Sequence, residues 1–205
     1  MTRRIVVLSA GLGSPSSSRL LADRLAAAAA RTLRADGEQV EVEVVELREH
    51  AVDLAHQLVT GFPSTRLGEV LDRVAAADAV VAVSPVFNAS YSGLFKMFVD
   101  ALPMGTLDGV PVLLGATGGS ARHSLVLEHA LRPLFAYLRA TTTATGVFAA
   151  TEDWASPGDL DARIERAGRE LAVLVAGSGR ARPAAVDPYD VSAFSFARFD
   201  QPVSA

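Results

Sequence analysis

The sequence predicts an α/β fold in which a parallel sheet lies between two layers of helices. Two observations predict it. Five β-rich apolar runs alternate with helical patterns along the chain, and strands separated by helices of that length are βαβ units, which build parallel sheets. Two of the runs, AVVAVS at 79–84 and VPVLLGA at 110–116, are apolar throughout, as central strands covered on both faces should be.

The elements follow in order. RIVVLS at 4–9 is the first strand, and a helical pattern runs over 17–35. QVEVEVVE at 39–46 sets Val40, Val42 and Val44 against Glu41 and Glu43, the alternation of an edge strand with one solvated face. Helices at 65–77 and 92–102 flank the third strand. A helix at 121–139 follows the fourth, TTTATGVFA at 141–149 is the fifth, and a helix at 158–176 closes the domain. Before that last helix, Ser156-Pro157-Gly158-Asp159 offers an N-cap, a proline at the first helical position and an acid in the first turn. Five such strands wind in the order 2-1-3-4-5, a flavodoxin-like three-layer sandwich with its ligand outside the carboxyl ends of the strands. The domain spans 1–177. Beyond it, GSGRARPAAVDPYD opens a tail over 178–205 that keeps Phe194, Phe196 and Phe199. It fits either a disordered terminus or an arm that docks on a neighbouring subunit.

Composition narrows the chemistry. With 205 residues, half of them hydrophobic, the chain can bury a substantial core. A formal net charge of −4 gives no basic footprint for nucleic acid or an anionic membrane. The absence of cysteine excludes disulfides, thiolate catalysis and cysteine-ligated metals. No apolar stretch approaches the roughly 20 residues needed to span a bilayer, and MTRRIVVL runs straight into a turn, so it reads as a strand and not a signal peptide. A cytoplasmic protein is expected. The four histidines have no metal-ligand spacing and no Ser-His-Asp arrangement, and His50 and His56 read as surface residues in a loop.

Three loops at carboxyl strand ends carry the functional reading. After the first strand, Ser9 is followed by Ser14, Ser16, Ser17 and Ser18 around Pro15. Free loop amides, a helix N-terminus and neutral hydroxyl donors suit a phosphate. This is not a P-loop, since the only lysine is Lys96, and Ser16 stands where a dinucleotide fingerprint needs its third glycine. After the third strand, Pro85, Val86, Phe87 and Asn88 offer a flat apolar surface and a two-way hydrogen-bonding amide. After the fourth, Thr117, Gly118, Gly119 and Ser120 leave backbone amides open to a planar ring. One loop for an anion and two for a flat heterocycle describe an FMN site.

The stretches SPVFNASYSGLFKMFVDALP (84–103), ATGGSARHSLVLEHALRPLF (116–135) and GVFA (146–149) resemble the NADPH-dependent FMN reductase family, above all the reductases of two-component sulfonate monooxygenase systems. The resemblance covers about residues 4–176. It implies that Ser9, Ser14, Ser16, Ser17 and Ser18 hold the FMN phosphate and that the second and third loops hold the ring. It further implies hydride transfer from NADPH or NADH, with no side chain needed as acid or base. A homodimer or homotetramer and a flavin-dependent monooxygenase partner are also implied. One departure stands out: the family loop carries an arginine where this chain has Ala10-Gly11-Leu12-Gly13, which leaves open whether Arg19 substitutes and which nicotinamide is preferred. Pro133 removes the donor for the carbonyl of His129, which requires a kink or a π-type bulge. The resemblance places that bulge at a subunit interface, where His129 would influence flavin exchange. An enzyme that retains FMN and reduces quinones or azo compounds, and a flavodoxin-like electron carrier, are the alternatives.

Overall fold

The computed structural model describes residues 2–156 and 158–178; the tail from 179 onward and Pro157 lie outside them. The sheet runs β2 (Gln39–Glu46), β1 (Thr2–Ser9), β3 (Ala79–Phe87), β5 (Pro111–Gly118), with a broken outer strand made of β6 (Thr141–Thr142) and β7 (Val147–Ala150), both paired with β5. All these pairings are parallel. The order is therefore the expected 2-1-3-4-5, but among the described residues the sheet has seven strands where five were expected. Two causes account for the difference. The fifth run splits at residues 143–146, and β4 (Ser90–Tyr91) folds back antiparallel on the end of β3.

Period-two alternation sorts the strand residues onto two cores. Ile5, Val7, Val81 and Leu113 face α1 (Ser17–Ala35) and α6 (Gly158–Gly177). Val6, Leu8, Val80 and Leu114 face the opposite layer of α2 (Ala51–Thr60), α3 (Thr65–Ala75), α4 (Gly93–Ala101) and α5 (Arg132–Tyr137). α1 and α6 pack so closely that a Cβ on Gly168 would lie 2.6 Å from the Cβ of Ala28.

The segment expected as one helix over 121–139 is instead three pieces. A 3₁₀ turn spans Ala121–His123, a π turn spans Leu127–Leu131, and α5 follows. The Arg132 amide donates to the carbonyl of Leu127, five residues back, which is the π pattern. Pro133 lies just beyond it, so the defect the proline requires takes the form of the bulge. α2 and the 3₁₀ turn before it (Leu47–His50) replace the expected loop. His50 is accordingly buried, not a surface residue, while His56 is exposed. Burial in an apolar setting beside Arg66 holds the His50 imidazole below its ordinary pKa.

The break between β6 and β7 is held from outside the strand. The Arg132 guanidinium donates to the Thr142 hydroxyl (2.9 Å) and to the carbonyls of Thr143 (2.9 Å) and Ala144 (3.1 Å). On the other side, the Glu170 carboxylate accepts the Thr145 amide (2.7 Å) and its hydroxyl (2.6 Å). Side chains thus satisfy backbone groups that the ladder leaves unpaired.

Candidate functional site

Strand register brings the three predicted loops to one rim. Ser9 pairs with Val83, Val83 with Gly115, and Pro85 with Thr117, so β1, β3 and β5 end side by side at the middle of the sheet. The loops that leave them are neighbours, as a ligand at the carboxyl edge requires.

The first loop gathers hydroxyls and unpaired backbone amides. Ser16 is the N-cap of α1, and its hydroxyl accepts the Arg19 amide at 3.2 Å. Among the described residues the amides of Gly11, Leu12, Gly13 and Ser14 donate to no backbone carbonyl, and those of Ser17 and Ser18 are the free first-turn donors of a helix. Ser14 and Ser17 are exposed. Ser9 is buried, and its hydroxyl has no hydrogen-bond partner among the described residues. A buried hydroxyl left unpaired costs about 1–3 kcal/mol, so a missing acceptor or donor is implied at that point. Gly11 makes room for the first turn of α1: a Cβ there would fall 1.9 Å from the Ser16 hydroxyl and 3.1 Å from the Ser16 Cβ.

The first and third loops are joined directly. The buried hydroxyls of Ser18 and Thr117, ninety-nine residues apart in sequence, lie 2.7 Å from each other. Past Thr117 the Ser120 hydroxyl is shielded from solvent and, like that of Ser9, has no partner among the described residues. Gly118 must be glycine to clear the Phe148 ring, 2.9 Å from where its Cβ would sit; Gly119 faces open space.

The second loop is the β3–β4 hairpin. Val86 pairs with Tyr91 and Phe87 with Ser90, leaving Asn88 and Ala89 as the two turn residues. Both have positive φ, 48° and 67°, the geometry of a two-residue hairpin turn. Asn tolerates it, but an alanine there costs about 1–2 kcal/mol. Ala89→Gly should therefore raise unfolding stability by about 1 kcal/mol, less than the full relief because glycine also loosens the unfolded chain; equilibrium denaturation reads it, and an unchanged midpoint would show that the turn is unstrained. Pro85 and Val86 are half-buried, while Phe87 is 45% exposed on the rim. Tyr91 and Phe95 (ring centroids 5.9 Å apart), then Phe95 and Phe135 (6.2 Å), carry the hairpin back to the helix beyond the π turn. His129 is exposed on that turn, and no side-chain hydrogen bond joins it to the three loops among the described residues.

Arg48 escaped the reading of the sequence. It sits just past β2 at the same edge, and its guanidinium donates to the carbonyl of Gly13 at 2.8 Å and pairs with Glu46 at 2.8 Å. Glu46 also binds Arg19, which Asp23 grips from its own helix. Those carboxylates hold the Arg19 guanidinium charged even more firmly than usual, Asp23 first. Arg19 is therefore committed within the chain.

The sequence profile described as NADPH-dependent FMN reductase matches residues 3–155. The chain belongs to the NADPH-dependent FMN reductase family. A relative in Pseudomonas aeruginosa, FMN reductase (NADPH), is 36% identical over 178 residues, covering 85% of this chain and 93% of its own. NADH-dependent FMN reductase SfnE of Pseudomonas putida is 38% identical over 181 residues, 86% of this reductase and 94% of the relative. In three dimensions the reductase superposes on an oxidoreductase from Corynebacterium diphtheriae with TM-score 0.84 and 46% identity, covering 87% and 99% of the two chains. A WrbA-like flavodoxin from Agrobacterium tumefaciens, 18% identical with TM-score 0.56, shares the fold. The reductase is thus a flavodoxin-like oxidoreductase of FMN and NADPH or NADH. Its rim fits FMN on its own chemistry: unpartnered hydroxyls at Ser9 and Ser120, a cradle that a Cβ on Gly11 would fill, and an open Gly119. Among the described residues no helix is long and apolar enough to cross a membrane, and no group of acidic or histidine side chains could hold a metal ion.

Proposed function

We propose that the reductase binds FMN at this rim, reduces it with NADPH or NADH and hands the reduced flavin to a flavin-dependent monooxygenase. The observation that carries the reading is the Ser18–Thr117 contact. It joins an anion loop to a ring loop, and the same rim holds two buried hydroxyls without partners among the described residues.

Bound FMN supplies the hydride-accepting ring. Ser9, Ser14, Ser16, Ser17 and Ser18 would hold its phosphate through hydroxyls and first-turn amides, placing the anion at the positive end of α1. Pro85, Val86, Phe87 and Asn88 would brace the ring from one side, with Thr117, Gly118, Gly119 and Ser120 on the other. The contribution of the chain is binding, orientation and exclusion of water. Hydride transfer asks no side chain of the three rim loops to act as a base. Release to a monooxygenase is supported by the stretches at 84–103 and 116–135, which resemble reductases of that kind. Exposed Leu125, before the π turn, and Tyr137, at the end of α5, support assembly as a homodimer or homotetramer.

Steady-state oxidation of NADPH and of NADH, with and without added FMN, tests the proposal. Turnover that saturates in added FMN supports it. Turnover that needs only a quinone assigns a flavin-retaining reductase, and no turnover assigns an electron carrier. His129→Ala is expected to change the FMN dissociation rate severalfold in stopped-flow fluorescence; an unchanged rate removes His129 from flavin exchange.

A further inference from the structure

We infer that Arg48 is a positioning residue for the flavin phosphate, supplying from the turn after β2 the cation that the serine loop itself lacks. The inference rests on the reading that the rim binds FMN phosphate. Residues 10–13 are Ala-Gly-Leu-Gly, with no charge among them. Two arginines approach from outside, and they are not equivalent. Arg19 is gripped by both oxygens of Asp23 (2.8 and 3.0 Å) and by Glu46, so two carboxylates offset its charge. Arg48 shares Glu46 with it and spends its remaining contact on a backbone carbonyl, that of Gly13. Glu46 is more enclosed than either arginine, its side chain 16% exposed against 35% and 32%, and it fixes the direction of the Arg48 guanidinium.

That carbonyl gives the contact its consequence. A peptide unit is planar, and when trans its N–H points opposite to its C=O. Holding the Gly13 carbonyl toward Arg48 turns the following amide, that of Ser14, to the other side of the unit. It also removes from the loop an exposed oxygen that would repel an anion. Donation from a charged group polarises the peptide, so the Ser14 amide becomes a stronger donor. Arg48 thus acts on the phosphate through Gly13 and Ser14, not on the ring.

The test compares FMN with riboflavin, which has the same ring and no phosphate, by quenching of flavin fluorescence on the full chain. Arg48→Met is expected to weaken FMN binding about tenfold while leaving riboflavin within twofold, and Arg48→Lys to recover part of the loss. Circular dichroism confirms that each variant is folded. FMN affinity unchanged in Arg48→Met overturns the inference. So does an equal loss for both flavins, which would make Arg48 a general support of the rim. If the unaltered protein binds riboflavin as tightly as FMN, the phosphate reading of the serine loop is itself wrong, and the inference falls with it.

Discussion

Gly11→Ala is expected to raise the dissociation constant for FMN about a hundredfold while the protein stays folded. The added methyl would lie 1.9 Å from the Ser16 hydroxyl, 3.1 Å from the Ser16 Cβ and 3.2 Å from the Ser18 Cβ. A hydroxyl alone can rotate away, but two Cβ atoms anchored in the first turn of α1 move only if the backbone moves. The Ser16 cap on Arg19 would then be lost, and Ser18 would be drawn off Thr117. Losing one hydrogen bond to a charged phosphate, at roughly 1.5–3 kcal/mol, and weakening a second gives about that factor. Fluorescence titration measures it, and a constant within twofold of the unaltered protein would show that this loop does not carry the flavin phosphate.

Arg132→Ala is expected to lower unfolding stability by about 3 kcal/mol, the upper range for a partly enclosed charged donor whose partners are left unpaired. In a chain of this size that corresponds to a fall in Tm of roughly 6–12 °C. The cost arises at the strand break, where the Thr143 and Ala144 carbonyls would lose their donor, and Thr143 is buried. The i,i+4 pair with Glu128 adds little by itself. Its pH signature is still distinct. The Arg132 guanidinium holds the Glu128 carboxyl below its ordinary pKa, so the pair contributes at pH above the ordinary carboxylate range and that contribution fades as acid takes the pH down through the depressed value. The carbonyl contacts do not titrate, so Arg132→Ala should remain destabilised at acid pH, whereas Glu128→Gln should approach the unaltered protein there. An unfolding stability that falls by under 1 kcal/mol in Arg132→Ala would show that the break is held without Arg132.

Most of the framework could be read from the chain because its causes are local. The runs at 39–46 and the helix over 17–35 end where expected, the latter because Ser16 caps its start. The rim could be read because loops that follow parallel strands leave at the same edge. What escaped depends on partners far along the chain. TTTATGVFA reads as one strand, since nothing in it announces that Arg132 and Glu170 will take over its backbone groups. The β3–β4 hairpin was hidden because Asn88 is followed by alanine where a glycine would mark such a turn. α2 was hidden because AVDLAHQLVT leaves Val52, Leu58 and Val59 in solvent and buries only Leu54, so no single apolar stripe appears. Arg48 lay just beyond a correctly placed strand, yet its target, the Gly13 carbonyl, is thirty-five residues upstream.

The interrupted outer strand also bears on solubility. A long flat border of free amides and carbonyls invites a second molecule to add its own strand and seed fibrils. Here that border is cut into pieces of two and four residues, and the gap between them is occupied by a carboxylate and a guanidinium. A stranger chain approaching in register would meet fixed charge where it needs open backbone, so a parallel sheet of this kind can end at this border without recruiting copies of itself.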